Sequence, residues 1–216
     1  MTAGRRRIVV LRHGRTAWNV QHRFQGRTEL PLDEIGVQQA ESAAEQIGRL
    51  GPSIVLTSDA ARAKQTADPL ASRTGIVPML DARLREADIG EWEGLTRAEV
   101  EGQRPKEYAA WRHGIDIRRG GGETLAEVAS RAGAAIDEVL PRLAPGQLLV
   151  VVTHGGTAKA VLGLQLELPT SSWRILSSLA HGRWAVLEEA PFGWRLDEHN
   201  VRPRKRDAPP ARSTLA

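Results

Sequence analysis

Residues 8–19 read IVVLRHGRTAWN, and this stretch decides the fold. Its short apolar run predicts a buried β-strand over about 7–12. The strand leads directly into Arg12, His13 and Gly14, so a guanidinium and an imidazole lie at its carboxyl end. In α/β sheets ligands bind at that end of the strands. The segment therefore predicts both an α/β fold and the sheet edge that carries its functional site.

A second segment repeats this design much later in the chain. Residues 148–156 read LLVVVTHGG, which predicts a strand over 147–153 that ends at His154 and Gly155. Because parallel strands present their carboxyl ends at one edge of a sheet, we expect His13 and His154 to meet there.

Predicted strands and helices alternate between these two segments, which is typical of a parallel sheet covered by helices. We predict an α/β fold, namely a three-layer α/β/α sandwich with a mostly parallel central sheet. Further strands are predicted at 54–57 and 76–80, and a closing hairpin at 183–189 and 194–198. Predicted helices cover about 16–22, 33–50, 58–73, 124–143 and 156–166, and another begins near Thr96.

Local signals mark several helix ends. Ser58 and Asp59 are typical N-cap residues for the helix after the second strand, and Pro69 predicts a kink or break within it. Thr96 and Thr124 each precede a glutamate by three residues, the spacing of a capping box. The run 120–122, three glycines, predicts a flexible connector. Trp92, Trp111, Trp173 and Trp194 are interpreted as packing residues.

Composition limits the broad class of the protein. The chain has 216 residues and no cysteine, so a disulfide framework and thiolate metal sites are excluded. We predict a single domain over 1–201 and a basic, disordered tail over 202–216. No run approaches the roughly 18 apolar residues that span a bilayer, so no membrane partner is expected and the predicted location is cytoplasmic.

The formal charge of +4 does not by itself indicate a nucleic-acid partner. The tail over 202–216 carries a net +4 and the three arginines at 5–7 carry +3, which leaves −3 for the rest of the chain. Since the predicted globular part is mildly acidic, its own arginines need a local explanation.

Five residues at the ends of predicted strands or in the first helical turn after them suggest a common chemistry. Arg12 and Arg62 match the oxygens of a phosphate or carboxylate. Positive charge beside His13 and His154 disfavours protonation of imidazole, which keeps a histidine nucleophilic. Glu86 is the candidate proton donor to a leaving oxygen. We expect the arginines to lower its pKa and a bound phosphate dianion to raise it, so that it acts as an acid with substrate present.

Each of these residues also has a simpler interpretation. A histidine before glycine is often a turn residue, Arg62 could be a solvated helix residue, and Glu86 could belong to a surface charge cluster. A metal site on His13 and His154 would place Arg12 against a cation, so no metal is expected. The functional interpretation rests on the joint occurrence of these residues at successive strand ends.

The motifs in their order resemble those of the histidine phosphatase superfamily, in its phosphoglycerate-mutase-like branch. The similarity rests on LRHGRT at 11–16 with Asn19, RFQG at 23–26, TSDAARA at 57–63, LRE at 84–86, GGET at 121–124 and THGG at 153–156.

That resemblance implies a role for each candidate residue. His13 is the phosphorylated nucleophile, Glu86 is the proton donor, and a phosphate pocket surrounds them. The pocket is formed by Arg12, Arg62 and His154, with Asn19, Gln25, Gly26 and Gly155 beside the substrate. The resemblance implies no cofactor and no metal, a small phosphorylated metabolite as substrate, and leaves a homodimer open.

The segment after Glu86 separates two activities within the family. Cofactor-dependent mutases resemble ERHYG there, whereas residues 86–94 read EADIGEWEG, the form seen in phosphatases. We therefore favour a phosphatase for small phosphomonoesters. The hairpin near Trp194 and the pair at 111–112 resemble the branch that dephosphorylates glucosyl-3-phosphoglycerate. A phosphoglycerate mutase and a non-catalytic anion-binding module remain the alternatives.

Overall fold

A computed structural model describes residues 4–203 of the chain. Its six strands are β1 (Arg7–Arg12), β2 (Ile54–Thr57), β3 (Met79–Leu80), β4 (Leu148–Thr153), β5 (Trp184–Ala190) and β6 (Gly193–Val201). Its α-helices are α1 (Ala17–Val20), α2 (Glu34–Arg49), α3 (Ala61–Thr74), α4 (Arg97–Gln103), α5 (Pro105–Arg112), α6 (Leu125–Val139) and α7 (Gly155–Gln165). Short 3₁₀ segments lie at Ala82–Leu84, Gly90–Trp92, Arg119–Gly121, Leu140–Arg142 and Thr170–Ile175.

The strands form one mixed sheet in the order β3-β2-β4-β1-β5-β6. Strands β1 to β4 are parallel, and the hairpin β5–β6 runs antiparallel to them beside β1. In the register of β1 and β4, Arg12 lies opposite Thr153. The residues that follow these two strands therefore begin at the same height on the same edge.

The side chains of β1 alternate between the two faces of the sheet, and helices cover both of these faces. Val9 and Leu11 pack with α2 and α3 on one face, while Ile8 and Val10 pack with α6 and α7 on the other. All four side chains are at most 1% exposed, so the sheet centre is fully enclosed. The predicted three-layer α/β/α sandwich with a mostly parallel sheet is confirmed.

The expected N-cap of α3 was wrong. Its N-cap is Ala60, which offers no side-chain cap, rather than Ser58 or Asp59. Those two side chains have other partners: the Ser58 hydroxyl lies 2.9 Å from His154 Nε2, and Asp59 accepts two hydrogen bonds from Arg85. Pro69 lies inside α3 without ending it.

Three other element bounds differ from the prediction. β3 has only two residues because it pairs with β2 just at Leu56 and Thr57. The helix expected to reach about 143 changes to a 3₁₀ turn after Val139, where Pro141 cannot donate to the α-helical ladder. The closing hairpin extends to Val201. The capping boxes at Thr96 and Thr124 are both formed as predicted.

The segment between β3 and α6 folds over the carboxyl edge of the sheet and packs around its own apolar cluster. Trp92 is fully buried there and contacts the rings of Phe24 and Trp111 at centroid distances of 5.1 and 5.9 Å. Trp173 is 5% exposed in the same cluster. These positions agree with the packing interpretation of the tryptophans.

The glycine run in this segment is not the flexible connector that we predicted. Gly120 has φ +56°, and a Cβ atom there would lie 2.3 Å from the carbonyl oxygen of Ile89. Its N–H donates to Glu107 at 3.2 Å. The turn is therefore packed backbone against backbone, and glycine is needed for that contact.

The predicted disordered tail over 202–216 lies outside the described residues from 204 onward. Over 4–203, no helix combines the length and apolar character that crossing a bilayer requires.

Candidate active site

The two strand ends bring His13 and His154 together, as the repeated motif predicts. Their ring centroids lie 5.2 Å apart, and the His13 N–H donates to the Thr153 carbonyl at 2.9 Å. Both side chains are buried, at 3% and 0% exposure.

A cavity of about 320 Å³ opens at this edge of the sheet. This volume lies at the small end of the range for ligand sites, which suits a small metabolite. Seven of the predicted residues line it, namely Arg12, His13, Asn19, Gln25, Gly26, Arg62 and Glu86. The other two, His154 and Gly155, lie directly behind the lining and contact Arg62 and Arg12.

The hydrogen bonds of His13 fix its tautomer. Nδ1 lies 2.6 Å from the carbonyl oxygen of Gly14, and a carbonyl can only accept, so Nδ1 carries the proton. Nε2 is then left with its lone pair. Burial lowers the pKa of His13 well below its ordinary value, and surrounding basic groups lower it further. Those groups are His154, Arg12, Arg62 and His181. The ring is therefore neutral near pH 7 and nucleophilic at Nε2.

Arg62 is 1% exposed and is held by the backbone of the loop that precedes α2. Its two terminal nitrogens donate to the carbonyls of Gly26 at 2.8 Å and Thr28 at 2.9 Å. Its Nε donates to His154 Nδ1 at 3.1 Å. A guanidinium has five N–H donors, so donors remain for an anion in the cavity.

The other guanidinium, that of Arg12, is held from the opposite side. It donates to the Leu179 carbonyl at 2.6 Å and to His181 Nε2 at 2.7 Å. Its Nε–H is buried and has no hydrogen-bond partner within residues 4–203. Gly155 permits this position, because a Cβ there would lie 3.1 Å from Arg12 Cζ.

The carboxylate of Glu86 lies at the N-terminus of α7. It accepts N–H donors from Ala87 and Gly156, both at 2.9 Å, and from Thr157 at 3.1 Å. Burial raises the pKa of Glu86, but the neighbouring His154 and the N–H groups of Gly156 and Ala87 outweigh it and bring the pKa to about 2.

This pKa is lowered as we predicted. Its leading causes include His154, the backbone donors at the N-terminus of α7 and Arg119, and the charge of Glu86 is also coupled to those of Arg12 and Arg62. Glu86 is ionised in the free protein at neutral pH. A proton on it therefore requires a bound anion close by.

Asn19 and Gln25 form one hydrogen-bonded unit in the lining of the cavity. Asn19 Oδ1 accepts the Thr16 N–H at 3.0 Å, and the Thr16 hydroxyl lies 3.1 Å from Gln25 Oε1. The Gln25 Nε2 is buried and has no partner within the described part of the chain. An amide donor beside the cavity is thus available to a ligand.

The sequence reasoning missed His181, whose ring centroid lies 5.8 Å from that of His13. Burial lowers its pKa to about 3, helped by Arg12. A signal was available, since His181 is also followed by glycine. However, it precedes β5 rather than following a strand, and the amino end of an antiparallel strand lies at the same edge as the carboxyl end of β1.

Arg119 was missed as well, although it lines the cavity. No periodic pattern places this residue, because its position depends on how the segment after Glu86 folds over the sheet. Over 4–203, no group of three or more histidine, aspartate and glutamate side chains is arranged to hold a metal ion.

An α/β sandwich with two neutral histidines, two arginines held by carbonyl oxygens and a carboxylate at one sheet edge defines a site for phosphoryl transfer. The chain matches the model of the histidine phosphatase superfamily (branch 1) over residues 8–202, and it belongs to that family. The predicted family is confirmed.

Individual relatives agree with this assignment. The chain is 37% identical over 211 residues to a glucosyl-3-phosphoglycerate phosphatase of Mycobacterium tuberculosis, covering 91% of this chain and 95% of the relative. It is 33% identical over 176 residues to a metal-independent phosphoserine phosphatase of Arabidopsis thaliana, covering 79% and 73%.

A solved structure agrees with the same family assignment. The mycobacterial glucosyl-3-phosphoglycerate phosphatase in complex with VO3 superposes with a TM-score of 0.87 at 36% identity, covering 91% of this chain and all of the other. The predicted class of enzyme, a phosphatase of the histidine phosphatase type, is confirmed by these relationships.

Proposed function

We propose that this protein hydrolyses the phosphomonoester of a small phosphorylated metabolite through a phosphohistidine on His13. Glucosyl-3-phosphoglycerate is the first candidate substrate, because the relatives that share most of the chain's length carry that name. We also propose that 1–201 forms one domain, which the extent of the family match supports.

The observation that carries the proposal is the state of His13. Its Nδ1–H is held by the Gly14 carbonyl, so Nε2 presents a lone pair beside the cavity lined by Arg12 and Arg62. A neutral imidazole between two guanidinium groups is arranged to attack an anionic phosphoryl group.

The first half of the reaction transfers the phosphoryl group to the protein. Nε2 of His13 forms a bond to phosphorus while the bond from phosphorus to the ester oxygen breaks. The remaining N–H donors of Arg12 and Arg62 stabilise charge on the phosphoryl oxygens. Glu86, protonated when the phosphate dianion is bound, gives its proton to the departing alkoxide.

The second half returns the protein to its starting state. Water attacks phosphorus, and Glu86, now a carboxylate, accepts a proton from that water. The bond between phosphorus and Nε2 breaks, its electron pair returns to the imidazole, and inorganic phosphate leaves.

The test is a panel of phosphomonoesters assayed with a metal chelator present. The panel contains 3-phosphoglycerate, its glucosyl ester and 2,3-bisphosphoglycerate. We expect release of inorganic phosphate that is insensitive to the chelator and is lost in His13→Ala. The matched control is His113→Ala, because His113 is exposed and bonds only the Ala109 carbonyl of its own helix.

Three results would count against the proposal. Interconversion of 2- and 3-phosphoglycerate would indicate the mutase. Binding without turnover of any ester would indicate an anion-binding module. A requirement for added divalent metal would contradict the mechanism.

A further inference from the structure

Arg119 is a cation in the active-site cavity without a counter-ion. Within residues 4–203 its side chain makes no hydrogen bond or ion pair, and its Nη2 is buried without a partner. Two other arginines of the cavity differ, because Arg12 and Arg62 each donate to carbonyl oxygens. Burying an unpaired guanidinium is costly, so an anionic partner is expected from a ligand.

The position of Arg119 is fixed by its backbone. It begins the 3₁₀ turn Arg119–Gly121, and the next residue, Gly120, is pressed against the segment 89–92. A Cβ at Gly90 would lie 2.1 Å from the Gly120 carbonyl oxygen, so two backbones touch there. The guanidinium is therefore aimed from a rigid support and not from a loose loop.

Nearby acidic groups are already occupied. Glu86 and Asp116 are the carboxylates whose charges act on Arg119. Glu86 accepts three backbone N–H donors at the start of α7. Asp116 accepts the N–H groups of Leu125 and Ala126 at the start of α6, at 2.7 and 3.0 Å. Neither forms an ion pair with Arg119.

Positive charge accumulates on this side of the cavity. Lys159, half-buried on α7, forms no ion pair over 4–203, and the charge of Arg119 helps to lower its pKa. Arg97 lines the cavity from the exposed first turn of α4 and likewise has no ion pair within the described residues. Two unpaired guanidinium groups, those of Arg119 and Arg97, thus border the same cavity as Arg12 and Arg62.

The division of work among the cavity's arginines identifies the half of the substrate that Arg119 meets. Arg12 and Arg62 act on the His13 nucleophile and are assigned to the transferred phosphoryl group. Arg119 lines the same cavity, is not among the groups that act on His13, and its charge acts on Glu86, the proton donor to the alcohol. A group bound by Arg119 therefore belongs to the alcohol and not to the transferred phosphoryl group.

We propose that Arg119, with Arg97 at the cavity mouth, binds a second anionic group on the alcohol half of the substrate. This inference rests on the proposed phosphatase function and narrows its substrate class. The second anion is a carboxylate or a second phosphate, since a guanidinium recognises the oxygens of both in the same bidentate way.

The experiment compares matched substrates. 3-Phosphoglycerate and glycerol 3-phosphate share one skeleton and differ in having a carboxylate or a hydroxymethyl group. Propane-1,3-diol bisphosphate and its monophosphate form the second pair, which replaces the carboxylate by a phosphate. For each pair the readout is the ratio of kcat/KM for the doubly anionic over the singly anionic ester.

We expect Arg119→Gln to lower this ratio by about 10- to 100-fold, the range for a lost hydrogen bond to a charged group. The loss should fall mainly on KM, because the anion is bound equally in ground and transition states. Arg97→Gln should lower the ratio less, and Arg119→Lys should restore part of it. The substrate pair whose kcat/KM ratio falls in Arg119→Gln identifies the second anion as a carboxylate or a phosphate.

Arg118→Gln is the matched control. Arg118 precedes Arg119 but is exposed and pairs with Glu127 and the Gly122 carbonyl. The ratio of kcat/KM for the doubly over the singly anionic ester should therefore be the same in Arg118→Gln as in the wild type. An Arg119→Gln protein that loses activity equally on both members of each pair, or on neither, overturns this inference alone. A wild-type protein that hydrolyses none of the four esters overturns the proposed function itself.

Discussion

Nε of Arg62 donates a hydrogen bond to Nδ1 of His154 at 3.1 Å. An arginine can only donate, so Nδ1 of His154 is the acceptor and Nε2 carries the proton that faces the Ser58 hydroxyl at 2.9 Å. One contact thus fixes the tautomer of the second histidine and the orientation of a guanidinium in the phosphoryl pocket. Burial and the charge of Arg62 also lower the pKa of His154 well below its ordinary value.

Replacing Arg62 by lysine should show that this contact requires a guanidinium. Lysine keeps the charge but cannot serve His154 and two carbonyls from one planar group. We expect kcat/KM for phosphomonoesters to fall by about 100-fold or more, as on losing one preorganised donor. The control is Arg73→Lys, which changes an exposed arginine of the same helix that pairs with Glu41. Near wild-type activity of Arg62→Lys would show that charge alone suffices.

His181→Ala should weaken the support of Arg12 beside His13. It removes the acceptor of Arg12 Nη2 and a ring in contact with that of His13. Since Arg12 would then be held by one carbonyl, we expect kcat/KM to fall about 10-fold on every phosphomonoester. Steady-state kinetics on two unrelated esters measures this. A loss on only one ester would instead make His181 a specificity residue.

Gly26 and Gly51 allow two costs of adding a Cβ atom to be separated: steric crowding by neighbouring side chains, and a positive φ. Both have positive φ, but a Cβ at Gly26 would lie 2.2 Å from Glu93 Oε1, whereas Gly51 has open space. We expect Gly51→Ala to cost about 1 kcal/mol of unfolding free energy. Gly26→Ala should cost about 1–3 kcal/mol more.

Gly26→Ala should also lose activity, because the Gly26 carbonyl holds Arg62. Denaturant unfolding and kcat/KM measured on both variants provide the test. Equal stability of the two variants would show that the loop moves away from Glu93 at no cost.

The buried histidines predict how stability depends on pH. His13 and His154 have pKa values well below their ordinary 6.5 in the folded protein, so between pH 7.5 and 5.5 the unfolded chain binds protons that the folded state does not. The unfolding free energy therefore falls as pH falls through this window. The linked loss is about 1.4 kcal/mol for each histidine at pH 5.5.

Urea unfolding at pH 7.5 and 5.5 measures this difference. His13→Gln and His154→Gln should each reduce it by about 1.4 kcal/mol, because glutamine does not titrate. His113→Gln should leave it unchanged, since His113 is exposed. A wild-type protein whose stability is equal at the two pH values would contradict the assigned neutral states.

Most of the site could be predicted because strands and helices carry it. Arg12 ends a buried strand, His13 and His154 each follow one directly, and Arg62 lies in the first turn of the helix after the second strand, so pattern alone places them at one edge. The fold class followed from the same alternation. None of these positions depends on how a long loop packs.

The remainder depends on tertiary packing that no local pattern encodes. His181 reaches the edge only because β5 pairs antiparallel with β1. Arg119 reaches it because Gly120 packs on the segment around Trp92. Ser58 has the composition of an N-cap, but the imidazole of His154 lies beside its hydroxyl. In each case a distant partner decides the role of the side chain.

Trapping the covalent intermediate tests the central claim most directly. The protein would be mixed with a ³²P-labelled phosphomonoester, quenched in alkali within milliseconds, and digested for mass spectrometry. We predict label that is stable to base and labile to acid, located on His13 and absent from His13→Ala. Label on another residue, or an His13→Ala protein that still turns over substrate at the wild-type rate, would contradict a phosphoryl transfer to this imidazole.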